Sequence, residues 1–210
     1  PFLTHVALKG KPMIVSTGMA DLSEVETAMN TIREAGNEQV VLLQCVSNYP
    51  ADPNVVNLRA MQTMEQKFSV LVGYSDHTPG VEVAIAAAAL GATVIEKHFT
   101  IDNTLPGPDH QASLEPEELA AMVRGIRIAQ AALGTGEKIP VASERNTADV
   151  ARKSLVAALD IAEGTKLTED MIAIKRPGTG LAPATRGDMV GKTMRTSIPA
   201  GDLFTLAMVD

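Results

Sequence analysis

The chain of 210 residues is long enough to bury a sizeable core in one large or two smaller domains. Hydrophobic residues make up 45% and aromatics only 3%, with no Trp, so the core must be aliphatic. A net charge of −7 argues against a nucleic-acid or anionic-membrane surface, and the single cysteine, Cys45, excludes an internal disulfide and fits a reducing cytoplasm.

No run approaches the length of a membrane span. The first residues, PFLTHVALKGKP, carry neither a signal-peptide pattern nor an initiating Met, which suggests a truncated start. Pro12–Ser16 is a short apolar, β-branched run ended by Thr17-Gly18. Asp21 or Ser23 can cap the next helix, Leu22–Ala35, with Val25, Met29 and Ile32 at helical spacing and Gly36 closing it. Val40–Cys45 is apolar on both faces, as a buried parallel strand should be. A two-proline loop, Val46–Pro53, leads to a helix over Leu58–Phe68.

Val70–Tyr74 and Thr93–Lys97 are two further strands, with an alanine-rich helix, Val81–Leu90, between them. This is a βαβ unit whose crossover makes the strands parallel. A Pro/Gly loop, Ile101–Gln111, precedes a long amphipathic helix that opens at Ser113-x-Glu115-Pro116 and reaches Leu133. Four βα units in about 130 residues are roughly half of the ~250 expected for a closed eight-stranded barrel. Residues 1–135 are therefore expected to be the barrel part, 136–150 a polar, aperiodic linker, and 151–210 a small β domain. Within the last, Ile161-x-x-Gly164-x-x-Leu167-Thr168 recurs as Ile198-x-x-Gly201-x-x-Phe204-Thr205, which suggests two related halves.

His77 and His98 each come just after one of the paired strands, so both fall on the carboxyl-end rim where βα folds bind ligands. A loop histidine bonded to Asp76 would explain His77 by itself. Two strand-end histidines in adjacent units point instead to a shared divalent cation, with water or substrate in the remaining positions. A closed zinc site lacks ligands because Cys45 is alone, so Mn²⁺ or Mg²⁺ fits better. Alternation places Glu96 with His98 and turns Lys97 away. Ser16, Ser47 and Asn48 also close strands, where ordinary capping and turns are the competing explanation. Collected on one rim beside helix N-termini, they would suit a phosphate or carboxylate. Cys45 reads as inert core.

STGM, a strand ending C-x-S-x-Y-P, GYSDHT, IEKHFT and LPGPDHQASLEPEEL occur here in order. Together they resemble the sialic acid synthase family, enzymes that condense phosphoenolpyruvate with an N-acylated hexosamine. The tail, SLVAALDIAEGTKLTEDMIAIKRPGTG, is similar to the family's antifreeze-like SAF domain. The resemblance implies an α/β chain, the C-terminal half of a TIM (β/α)8 barrel with a small β-clip domain after it. The barrel's first four strands, with the lysines and carboxylate the family draws from them, have no counterpart here. PGPDHxAS is closer to the N-acetylneuraminate and legionaminate synthases than to pseudaminate synthases.

The same resemblance implies a reaction and a set of residue roles. Phosphoenolpyruvate would join the aldehyde of an N-acetylmannosamine-type sugar, giving a nine-carbon 2-keto acid and phosphate. His77 and His98 would hold Mn²⁺ or Mg²⁺, and Asp109 would join them as a catalytic residue. Ser16, Ser47 and Ser75 would hold the phosphate and carboxylate ends, with Tyr49, Asp109 and Arg176 on the sugar side. The protein would be a cytoplasmic homodimer whose SAF domain places Arg176 over the partner's barrel mouth. Two other readings stay open. One is an aldol-type lyase using Lys97 as a Schiff base, and the other is a non-catalytic sugar-binding module.

Overall fold

Apolar runs and helical-period runs alternate from residue 13 onward, and the computed structural model, which describes residues 1–210, turns that alternation into a parallel sheet. Its strands are β1 (Met13–Ser16), β2 (Val40–Cys45), β3 (Leu71–Asp76) and β4 (Val94–Lys97), paired in that order. The register sets Ser16 beside Leu43, Cys45 beside Ser75, Ser75 beside Glu96, and Asp76 beside Lys97. Helices α2 (Leu22–Glu34), α3 (Ala60–Phe68), α4 (Glu82–Ala89) and α5 (Pro116–Leu133) come after the four strands in turn. The chain divides into two units, Pro1–Gly136 and Glu137–Asp210. No helix is long and apolar enough to cross a membrane.

Side-chain alternation gives the sheet two unlike faces. Met13, Val40, Leu42, Val72 and Tyr74 pack against Val25, Met29 and Ile32 of α2 and Met61, Met64 and Phe68 of α3. Each fully buried aliphatic side chain there contributes about 1.5–3 kcal/mol. On the other face Ile14 and Leu71 are both 58% exposed, so no element of this unit covers them. Asp21 caps α2 in a reciprocal capping box with Glu24. The Ser23 hydroxyl and the amides of Glu24 and Ser23 hold its carboxyl below the ordinary range. Expectation and structure differ at several edges. A helix absent from the sequence reading, α1 (Phe2–Ala7), precedes β1 and buries Ala7. The third strand runs to Asp76 rather than Tyr74, and α3 begins at Ala60 rather than Leu58.

Gly73 sits in the middle of β3 because nothing larger fits. A Cβ there would lie 2.3 Å from the Val94 carbonyl oxygen and 2.5 Å from Leu43 Cδ2. Gly73→Ala is therefore expected to spread β3 from β4 and lower stability by about 1–3 kcal/mol, read as a drop in urea midpoint. An unchanged midpoint would mean that the strands separate freely.

The second unit is built on a two-stranded antiparallel ribbon, β5 (Ser154–Ala157) with β6 (Ile172–Lys175). The repeat seen in the sequence is a real internal two-fold. Ile161 and Ile198 exchange both backbone hydrogen bonds at 2.9 Å. Gly164 N–H donates to the Met194 carbonyl at 2.8 Å, and its counterpart Gly201 N–H donates to the Ala157 carbonyl at 2.9 Å. Both glycines have positive φ, 78° and 92°, where a side chain would be strained. Leu167 and Phe204, at matching places in the two halves, are 1% and 0% exposed in one core. The 136–150 segment is less irregular than its composition implies, since it contains most of a helix, α6 (Arg145–Ala151).

Candidate functional site

The carboxyl ends of β3 and β4 carry three successive levels of polar side chains. At the lowest, Ser75 Oγ donates to Glu96 Oε1 at 2.6 Å. One residue on, and therefore on the opposite face, Lys97 Nζ donates to Asp76 Oδ2 at 2.9 Å and also to the Thr78 carbonyl. These two side chains are 2% and 0% exposed, so the ion pair is buried. Asp76 Oδ1 accepts from both Thr78 N–H and Thr78 Oγ1, at 2.9 and 2.7 Å, closing the turn that carries His77.

The third level is the pair of histidines. Their ring centroids lie 5.2 Å apart and edge-on. His77 Nδ1 faces the Val46 carbonyl at 2.6 Å, and a carbonyl can only accept, so Nδ1 carries the hydrogen. In a neutral ring the lone pair is then on Nε2, the arrangement by which a backbone acceptor orients an imidazole ligand. Tyr49 covers both rings, at 4.1 Å from His77 and 5.2 Å from His98. Burial lifts the Tyr49 phenol above its ordinary range, and Cys45, Asp109 and Glu96 nearby add to the effect. The hydroxyl therefore stays protonated, available as a donor.

No group of three or more His, Cys, Asp or Glu side chains gathers anywhere in the chain. The rim offers two imidazoles side by side, a donor chemistry compatible with an open divalent site. It does not fit a closed structural site.

The loop after β4 is pinned beside the site. Leu114 N–H donates to the His98 carbonyl at 2.9 Å, and Thr100 N–H to the Leu114 carbonyl at 2.9 Å. Ser113 Oγ donates to the Asp109 carbonyl at 2.6 Å, and His110 Nδ1 lies 2.7 Å from Thr100 Oγ1. Between this loop and Tyr49 is a cavity of about 400 Å³, lined also by Pro79, Gly80, Asn103 and Gln111.

The structure brings His77, His98 and Tyr49 together directly, with Asp109 and Glu96 among the charges that raise the Tyr49 phenol. Ser75 lies below the rim, 2% exposed, with its hydroxyl proton directed to Glu96. Ser16 ends β1 and is exposed, and Ser47 lies against Gly18, its Oγ 3.3 Å from where a side chain would start. Arg176 belongs to the second unit, where its Nε donates to the Ala151 carbonyl at 3.1 Å. Gly178 packs closely within that unit: a Cβ would lie 2.5 Å from Arg152 Cβ on the chain leaving α6. Cys45 is buried with the core as expected, and its Sγ lies 3.7 Å from His77 Nδ1. Sequence reasoning misses the Asp76–Lys97–Thr78 cluster and the Ser75–Glu96 bond. Their only sequence signal is that SDHT and EKH set complementary side chains one and two steps before each histidine.

The NeuB family model matches residues 1–138, and the SAF domain model matches residues 152–210. The chain is 45% identical over 205 residues to the N,N'-diacetyllegionaminic acid synthase of Legionella pneumophila, covering 96% of this chain and 58% of that protein. It is 38% identical over 212 residues to the N-acetylneuraminate-9-phosphate synthase of Homo sapiens, covering 100% of this chain and 59% of the relative. The crystal structure of N-acetylneuraminic acid (sialic acid) synthetase from Leptospira borgpetersenii, in complex with citrate, matches at 41% identity with a TM-score of 0.63. That match covers 70% of this chain and 51% of the solved one. The chain thus spans less than two thirds of the length of these relatives.

Proposed function

The chain belongs to the NeuB family, and from that premise we propose that the whole protein condenses phosphoenolpyruvate with the open-chain aldehyde of an N-acylated hexosamine. The observation that carries this reading is the pair of imidazoles at 5.2 Å on the strand-end rim, with His77 Nε2 left free. In the reaction, C3 of phosphoenolpyruvate forms a bond to the aldehyde carbon, and the aldehyde oxygen takes a proton. Water adds at C2, and loss of phosphate leaves the 2-keto acid. His77 and His98 would hold Mn²⁺ or Mg²⁺. When bound, such a cation supplies polarisation of a carbonyl oxygen.

The chain's own residues do the rest by placement. Tyr49 packs over both imidazoles and would offer its hydroxyl from one side, and Asp109 would present a carboxylate to the sugar from the loop after β4. Ser16 and Ser47 would take the anionic ends of phosphoenolpyruvate, and Ser75 would join them only by giving up Glu96 as its acceptor. Holding C3 and the aldehyde carbon in contact is the largest contribution expected of such a site. A Schiff-base mechanism is disfavoured, because the Lys97 amine is engaged by Asp76 and Thr78 on the opposite sheet face. The test is phosphate release and keto-acid formation from phosphoenolpyruvate and N-acetylmannosamine, with and without Mn²⁺. Turnover indifferent to the metal would sink the reading, as would covalent trapping by borohydride. A pure sugar-binding module would bind sugar without either.

The reading extends to a cytoplasmic homodimer in which Arg176 of one subunit serves the other subunit's sugar site; family resemblance and the unpaired cysteine support this part. Arg176→Ala should then raise the KM for the amino sugar and leave that for phosphoenolpyruvate nearly unchanged. Mixing an Arg176→Ala subunit with a His77→Ala subunit should restore one working site per mixed dimer. Absence of complementation would confine Arg176 to its own subunit.

A further inference from the structure

His77 is bracketed by two residues, Asp76 and Thr78, that are both bonded to the side chain preceding His98. Lys97 Nζ reaches Asp76 Oδ2 at 2.9 Å and also donates to the Thr78 carbonyl. Asp76 Oδ1 in turn holds the Thr78 amide and hydroxyl. The level below is tied on the other face, by Ser75 to Glu96 at 2.6 Å. Two successive cross-strand levels are thus laced by side chains immediately before the two imidazoles, and the backbone register pairs the same residues.

A buried ion pair is a weak source of net stability, because desolvation offsets most of the attraction. Its strength lies in intolerance of misregistration. A slip of one residue between β3 and β4 would carry Lys97 to the opposite sheet face and strand Asp76 without its cation. An apolar pair at the same level would tolerate small shifts of the strand ends. We infer that the Asp76–Lys97 pair, with Thr78, is a positioning device that fixes the separation of His77 and His98, and through it their shared affinity for a divalent cation. The inference rests on the metal reading proposed above.

Manganese titration of the whole protein, followed by the loss of free Mn²⁺ signal in electron paramagnetic resonance, tests it without reference to turnover. The double variant Asp76→Asn/Lys97→Met removes both charges while the Asn oxygen can still accept from Thr78. It should melt near the parent temperature yet bind Mn²⁺ about 10–100-fold more weakly, the range typical of changes behind a ligand. Lys97→Arg keeps the charge and should retain affinity within about threefold, below that range. A folded double variant with parental affinity would overturn the inference. So would a double variant that cannot fold, since the pair would then be a requirement of the fold rather than of the rim. Parental protein that binds no Mn²⁺, or a His77→Ala variant that binds it undiminished, would instead remove the metal reading, and this inference with it.

Discussion

Replacing His77 or His98 by alanine is expected to abolish metal-dependent turnover of the whole protein while leaving phosphoenolpyruvate binding largely intact. The two imidazoles are the rim's paired nitrogen donors, and no carboxylate or thiolate joins them to make a group of three. Changes that merely touch a ligand from behind cost about 10–100-fold in affinity or activity, so losing one of two ligands should cost at least that. The two variants should differ in a second respect. His77 is 8% exposed and bonded to the Val46 carbonyl, so its loss also leaves a buried acceptor without its donor. His77→Ala should therefore lower the melting temperature as well, whereas His98→Ala, on the more open side, should disturb folding less. Steady-state rates under trace-metal conditions, with phosphoenolpyruvate binding by calorimetry, would decide it. Normal activity in either variant under those conditions would end the metal assignment.

The backbone plan of this site was legible because parallel strands announce themselves. Val40–Cys45 is apolar on both faces, and a histidine one or a few residues beyond a strand can only sit on the carboxyl rim. The two-fold of the second unit was legible for a similar reason, since its turns demand glycine at matching places, Gly164 and Gly201. What was not legible depends on which residue lies opposite which. Alternation sends Lys97 away from the histidine face, and that reading is right as far as it goes. That Lys97 meets Asp76 there is a consequence of the β3–β4 register, which no local pattern contains. The same holds for Tyr49, whose place above both imidazoles is set by the path of the loop after β2. Helices α1 and α6 are short and lack side-chain caps, so their start signals are weak. Arg176 shows a different limit. Its role is implied by family resemblance alone, and within its own unit the structure gives its Nε the Ala151 carbonyl as a partner.

The second large effect expected is on stability, from Lys97→Met. The Asp76 side chain is fully buried, and the substitution would leave its charge with the Thr78 amide and hydroxyl and the nearby Tyr74 phenol but no cation. Breaking a buried pair by removing one member typically costs about 3–5 kcal/mol, about a third of a domain's whole stability. A control within the same unit separates burial from distance. Lys67 Nζ also lies 2.9 Å from its carboxylate partner, Glu26, but those side chains are 35% and 48% exposed. Water solvates both charges there whether or not they touch, so Lys67→Met should cost about 1 kcal/mol or less. The contrast at equal distance is the prediction, measured as two urea midpoints against the parent with an unchanged slope. Restoring neutrality with Asp76→Asn on top of Lys97→Met should recover most of the loss, because the penalty belongs to the stranded charge and not to the missing contact. If Lys97→Met cost no more than Lys67→Met, water would have to reach Asp76, and the pair would be an ordinary surface bridge that happens to lie beneath the histidines.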